Sequence, residues 1–311
     1  KSPYWEYHSK KISYSITNST ITLKGESGNY IPDKKNSFQF YSRLFKIFIK
    51  KTIFPERTNK ISYKEAFTKV MNEDRVHKHQ QVKLDKSKIL ARSISECKKI
   101  FPFNYELSDD MIRFYYLINI LNSNIELSNT KIIAEIGAGN GNFISLLKHH
   151  FNPTSIINID LPETLILSMV FLSNLFPKAK ILLPNEVSGK INKDVLSKYD
   201  FIFLAPNQIK FLDENLIDLF INTDSFGEMN MSQITEYINF IQKAGKPNSF
   251  FFNCNRVEKI PFAVNNISNV EPIKFSNYPF FKNEIIFMEI CRFISLSHAE
   301  PVYIRLEKIK K

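Results

Sequence analysis

The segment Lys131-Ile-Ile-Ala-Glu-Ile-Gly-Ala-Gly-Asn-Gly-Asn142 constrains this 311-residue chain more than any other. An apolar run (Ile132, Ile133, Ile136) meets glycines at alternate positions, Gly137, Gly139 and Gly141, and a helical pattern follows at Phe143, Ile144, Leu146 and Leu147. Strand, tight turn and helix in that order form the opening unit of a doubly wound α/β domain, where ligands sit beyond the carboxyl ends of the strands. Glycine suits such a turn because a ligand can approach backbone that carries no Cβ. The spacing sets two common ligands aside. A dinucleotide fingerprint, G-x-G-x-x-G, needs a third glycine where Asn142 stands. A phosphate loop needs Gly-Lys-Ser/Thr at its end, and none is present.

Ser155-Ile-Ile-Asn-Ile-Asp160 reads as a second strand ending in a carboxylate, 23 residues after Gly137 (160 − 137). An acidic side chain there can accept both hydroxyls of a ribose. Asp160-Leu-Pro-Glu163 also fits a helix start, with a cap residue, an early proline and a glutamate three residues on. Further strands are expected at Asp200–Ala205, Ile217–Thr223 and Ser249–Asn253, with helices at Thr164–Phe176 and around Ile234, Tyr237, Ile238 and Ile241. Gly245 and Pro247 stop the latter. Pro177–Tyr199 is longer than an ordinary connection and reads as an insertion near the site.

Upstream, Ile12, Tyr14 and Ile16 alternate, Thr17–Thr20 supplies turn residues, and Ile21 and Leu23 alternate back, which predicts a hairpin. Residues 37–51 read as an amphipathic helix with Phe38, Tyr41, Leu44, Phe45 and Phe48 on one face; basic and aromatic, it is expected to suit a core or peripheral membrane contact. Residues 61–100 read as further helix. Ser108 caps a helix running through Met111, Ile112, Tyr115 and Tyr116 to Leu121, which is expected to lie across the ligand mouth with Arg113, Tyr115 and Tyr116 as lid residues. The division is a basic, mostly helical cap over 1–104 and an α/β domain over 105–311.

Charge follows that division. Residues 1–130 hold 23 Lys+Arg against 13 Asp+Glu, and residues 131–311 hold 19 against 18. A basic module suits an anionic acceptor such as nucleic acid, a phosphorylated sugar or a lipid-linked glycan, although the chain is rich in Lys, Asn and Ile throughout. Cys97, Cys254 and Cys291 are odd in number and far apart, which points to a reducing compartment and away from structural zinc. His77, His79, His149 and His150 make no metal-binding motif. Lys1-Ser-Pro-Tyr-Trp-Glu6 is too polar for a signal peptide, so the cytoplasm is the expected compartment.

The pattern E-x-G-x-G-x-G from Glu135 resembles the first motif of class I S-adenosylmethionine-dependent methyltransferases. The resemblance implies a Rossmann-like, mostly parallel sheet with an antiparallel final strand, here expected from the segments 284–293 and 301–309. It implies a cofactor held by the turn Gly137, Ala138, Gly139, Asn140 and Gly141, by Asp160 and Leu161 at the ribose, and by Glu135 at the cationic methionine end. Asn207 and Gln208 fall where this class binds adenine, and either also suits an ordinary turn. Asn222 and Tyr115 complete the expected cofactor contacts. A base for a hydroxyl acceptor belongs after the fourth strand, where Asn222-Thr-Asp-Ser-Phe-Gly-Glu-Met229 offers Asp224 and Glu228 one helical turn apart. Ser225-Phe-Gly-Glu228 also fits a capping box. Asn253, Asn255 and Arg256 are expected to line an acceptor pocket.

Arg113-Phe-Tyr-Tyr116, EIGAGNGN, NIDLPET, FLAPNQ and DLFINTDSFGEM in that order resemble the bacterial sugar O-methyltransferases found among cell-surface polysaccharide enzymes. The likeness runs from about residue 105 to 260. It implies O-methylation of a sugar or glycan hydroxyl, with Asp224 and Glu228 as the catalytic carboxylates. Two other readings are an RNA or other nucleic-acid methyltransferase and a non-catalytic cofactor-binding scaffold. Against the first, no Asn/Asp-Pro-Pro-Tyr/Phe segment follows the fourth strand; against the second, the glycine turn and Asp160 are intact.

Overall fold

Strands that are apolar at nearly every position must be covered on both faces, and such runs form the middle of this molecule. In the computed structural model, β3 (Ile132–Ile136) and β4 (Ser155–Ile159) are buried at every residue. The structure describes residues 109–259, 272–291 and 301–311, with side chains from residue 113 onward, and the backbone of 13–17 and 20–24. Those last two segments, β1 (Ser13–Thr17) and β2 (Thr20–Lys24), pair antiparallel as the expected hairpin, with Thr17 opposite Thr20. The helices expected over 37–51 and 61–100 lie outside the described residues.

After α1 (Asp109–Asn124) the chain alternates strand and helix: β3, α2 (Asn142–Phe151), β4, α3 (Pro162–Leu175), β5 (Ile181–Leu182), α4 (Lys193–Leu196), β6 (Phe201–Leu204), β7 (Ile217–Thr223), α5 (Met231–Ala244) and β8 (Gly245–Arg256). A small hairpin of β9 (Glu258–Lys259) and β10 (Ile273–Lys274) leads to β11 (Glu284–Cys291) and β12 (Val302–Lys308). The main sheet runs β11-β12-β8-β7-β3-β4-β6-β5. Its strands from β5 to β8 are parallel, and β12 is antiparallel to both β8 and β11. This is the expected α/β architecture. The 177–199 insertion supplies β5, which lengthens the sheet beyond β6.

Side chains alternate across the sheet, so the strands feed two cores. Ile133, Ile156, Phe203, Leu219 and Phe252 face α1, α2 and α3, whereas Ala134, Ile157, Ile202, Phe220 and Phe251 face α5. From β3 the chain first builds outward through β4 and β6, then crosses back to β7 on the other side of β3. That reversal opens a crevice at the carboxyl ends of β3 and β7, the position where doubly wound sheets take ligands. Among the described residues no helix is long and apolar enough to cross a membrane.

Candidate active site

A cavity of about 460 Å³ fills this crevice, within the range of small-molecule sites. The glycine turn after β3 forms one wall. Gly137 has φ +75° and its N–H donates to the Ile159 carbonyl at 2.7 Å, which ties the turn to the end of β4. A Cβ on Gly137 would stand 2.2 Å from Ser225 Oγ, so only glycine lets this turn meet the one after β7. At Gly139 (φ +58°) nothing lies within 4 Å of an added Cβ; the position faces open space and lines the cavity. Ala138 is 9 % exposed and joins the core, and Asn140 accepts a bond from the Asn142 N–H at 3.3 Å. Gly141 (φ +84°) precedes α2, and a Cβ there would stand 3.2 Å from Ser168 and Leu172 of α3.

Asp160 lies at the back of the same wall. Its carboxylate accepts the Gly139 N–H at 2.8 Å and the Leu161 N–H at 2.7 Å, yet still lines the cavity together with Leu161 and Asn207. Burial raises its pKa to about 7 against the pull of those two bonds. The residue before α3 is Leu161, without a side-chain cap, so Asp160 does not cap that helix; it braces the glycine turn. Glu135, one strand position before the turn, is 1 % exposed, and its Oε2 has no hydrogen-bond partner among the described residues. Burial first, then the nearby Asp160 charge, raises its pKa to about 8, with Arg113 pulling the other way. The Gln208 side chain is already engaged, accepting the Ala205 N–H at 2.9 Å and donating to the Pro184 carbonyl at 2.8 Å.

The opposite wall is the turn after β7. Asp224 takes a left-handed conformation (φ +61°), unusual for a residue with a side chain, and its N–H donates to the Cys254 carbonyl at 2.8 Å. Its carboxylate accepts from the Arg113 guanidinium of α1. Glu228 is held by Lys259 of β9, Nζ to Oε1 at 2.6 Å, with side-chain exposures of 15 % and 6 %. Asp224 and Glu228 both line the cavity. They do not share a helical face, because the chain between them makes a 3₁₀ turn, Phe226–Glu228. Nor does Ser225 with Glu228 form a capping box. The helix starts later, and Asn230 with Gln233 makes the box for α5.

Several expected contacts are placed elsewhere. Asn222 is fully buried; its amide donates to the Ile136 carbonyl at 2.9 Å and accepts from Asn255 Nδ2 at 2.7 Å. Asn255 in turn accepts the Gly227 N–H at 3.1 Å. Asn253 and Asn255, with no exposed surface, therefore support the turn from beneath and do not line the cavity. Tyr115 and Tyr116 are buried in the core and form no lid, and of that trio only Arg113 reaches the site. Met229, just before α5, and Gln233, Glu236 and Tyr237 in its first half line the cavity; of these the sequence marks only Tyr237, and as part of the helix's apolar face rather than of the site. The Asn230-x-x-Gln233 spacing was the signal that brings α5 to this position.

No protein-family model matches the chain, and no curated protein matches it in sequence. Among solved structures it is similar to a SAM-dependent methyltransferase from Archaeoglobus fulgidus, at 13 % identity over 65 % of this chain and 94 % of that one, with a TM-score of 0.40. A phosphoethanolamine N-methyltransferase from Haemonchus contortus shows 11 % identity over 66 % of this chain and 43 % of its own, with a TM-score of 0.44. A SAM-dependent methyltransferase from Methanosarcina mazei shows 10 % identity over 61 % and 97 %, with a TM-score of 0.41.

Proposed function

We propose that the protein is an S-adenosylmethionine-dependent methyltransferase that methylates a hydroxyl of a sugar or glycan. The observation that carries this reading is the turn at Gly139, whose Cβ-free face opens on a cavity backed by the Asp160 carboxylate. The residues present fit the cofactor. Asp160 retains lone pairs for ribose hydroxyls and, with Leu161 and Asn207, would hold an adenosine, while Glu135 lies buried behind the turn with an orphaned Oε2 and does not line the cavity. When bound, the cofactor supplies an electrophilic methyl group on a sulfonium.

The chain's own contribution is to hold the acceptor oxygen in line and to take its proton. Positioning of this kind accounts for much of the acceleration in displacement reactions. Glu228, fixed by Lys259, accepts the hydrogen bond of the acceptor hydroxyl. A hydroxyl oxygen that gains a methyl group becomes strongly acidic, so an ordinary carboxylate suffices to remove the proton. Gln233, Tyr237 and Glu236 offer further hydrogen-bonding groups suited to a polyhydroxylated ring.

Calorimetric titration with S-adenosylhomocysteine tests the cofactor half. Binding is expected for the native chain and absent for Gly139→Val, whose side chain occupies the open face. Equal affinity in the two proteins would remove the turn from the site. Transfer of labelled methyl from S-adenosylmethionine to a panel of glycosides tests the acceptor half.

A further inference from the structure

The two halves of the cavity differ in the charge they present. Toward the glycine turn it is backbone, Asp160 and Asn207; toward α5 it is Glu228, Met229, Gln233, Glu236 and Tyr237. Among the described residues that line it there are four carboxylates, Asp160, Asp224, Glu228 and Glu236, and no lysine, arginine or histidine. The two cations beside it do not line it. Arg113 is bound to Asp224, and Lys259, almost wholly buried behind the 226–228 turn, is bound to Glu228. The first turn of α5 is a weak anion site as well, because its Asn230 and Gln233 N–H groups are taken by the capping box. Among the described residues, an anion entering here meets Asp160 and Glu236 with no lining cation beside them, and like charges in a partly desolvated site repel strongly.

We infer that the acceptor presents an uncharged or amine-bearing hydroxylated ring to this cavity. Acceptors carrying phosphate or carboxylate beside the reacting hydroxyl are rejected, with Glu236 and Glu228 as the specificity-determining side chains. This rests on the methyltransferase reading above and names its substrate class. Glu236 is the informative residue, since it is exposed on α5, lines the cavity and has no hydrogen bond or ion pair to the site's turns among the described residues. A neutral ring finds acceptors in the carboxylates and both donors and acceptors in Gln233 and Tyr237. An ammonium on the ring gains in addition from the surrounding negative charge.

The test measures labelled methyl transfer from S-adenosylmethionine to matched acceptors: methyl hexosides, methyl 2-amino-2-deoxyhexosides, hexose 6-phosphates and methyl hexuronides. Expected is a kcat/KM for the neutral and amino sugars at least about 10-fold above that for the phosphate and uronate partners. In Glu236→Lys the anionic acceptors should gain about 10-fold while the affinity for S-adenosylhomocysteine, measured by calorimetry, stays unchanged. Methylation of the phosphate or uronate sugars at rates equal to the neutral ones overturns this inference and leaves the methyltransferase reading standing. Loss of S-adenosylhomocysteine binding in the native chain overturns that reading instead. Cofactor binding without transfer to any panel member counts against the sugar acceptor and against this inference together.

Discussion

The two walls of the cavity are made in different ways. The wall after β3 is backbone: a left-handed glycine turn, closed by main-chain bonds and braced by one carboxylate from the next strand. The wall after β7 is made of side chains held from a distance, Asp224 by Arg113 and Glu228 by Lys259, over a buried Asn222–Asn255 pair. The first wall is fixed by conformational preference that a short sequence encodes. The second depends on charge partners that only the folded sheet brings together. The walls touch at Gly137 and Ser225, so the most disruptive change should be there.

Gly137→Ala adds a methyl group 2.2 Å from Ser225 Oγ, at a φ that side chains disfavour. Overpacking and left-handed strain together should cost about 3 kcal/mol or more, read as a lower urea midpoint. Gly137→Ala with Ser225→Gly should recover the overpacking share and leave the strain. If the second substitution restores nothing, the contact between the walls is not what makes this glycine necessary.

Next in size is Lys259→Met. It leaves the Glu228 carboxylate 15 % exposed and without its ammonium neighbour, and breaking one partner of such a pair costs about 3 kcal/mol. Lys259→Met with Glu228→Gln should return most of that loss, because neither charge is then stranded. A double variant as unstable as the single one would show that the lysine stem, packed on Gly227, matters more than its charge.

How much of this was legible in the sequence follows the same division. The glycine turn, the carboxylate at the end of β4, the parallel order and the antiparallel final pair are local or periodic signals, and residues 132–141 and 155–160 carry them intact. The ion pairs are not. Arg113 and Asp224 are 111 residues apart, Lys259 and Glu228 31 apart, and nothing in either lysine or arginine context marks a partner. Of the two roles the sequence leaves open for Glu228, the box with Ser225 does not form, because Asn230–Gln233 makes the cap of α5 and Glu228 pairs with Lys259. Asn253 and Asn255 are expected from the sequence to line an acceptor pocket, yet a strand end crossing beneath another turn buries them.

A smaller effect should distinguish the walls by pH. Glu135 and Asp160 have pKa values raised to about 8 and about 7, above the roughly 4 of an unfolded carboxylate. The folded chain therefore holds protons that the unfolded chain releases, so stability should fall as pH rises from about 4 to about 8. Each group contributes at most about 1.4 kcal/mol per pH unit. Above pH 7 Asp160 finishes titrating, and the larger share of what this pair still contributes to the slope belongs to Glu135. Glu135→Gln should flatten the melting temperature between pH 7 and 8 and leave a decline below 7. An unchanged slope above pH 7 would mean that Glu135 is already ionised in the native chain.

Arg113→Gln should do least to stability and most to where that slope lies. Its pair with Asp224 is part-exposed, with side-chain exposures of 20 % and 32 %, so the loss should stay below about 1 kcal/mol. Asp224 keeps its backbone bond to Cys254, which holds the left-handed residue in place without the guanidinium. Arg113 also opposes protonation of Glu135, so its removal should push the Glu135 transition to higher pH. The melting profile of Arg113→Gln should therefore resemble the native one displaced toward alkaline pH. A loss above about 2 kcal/mol with no displacement would mean that the β7 turn relies on its ion pairs for its shape, and that the charge of α1 does not reach the glycine wall.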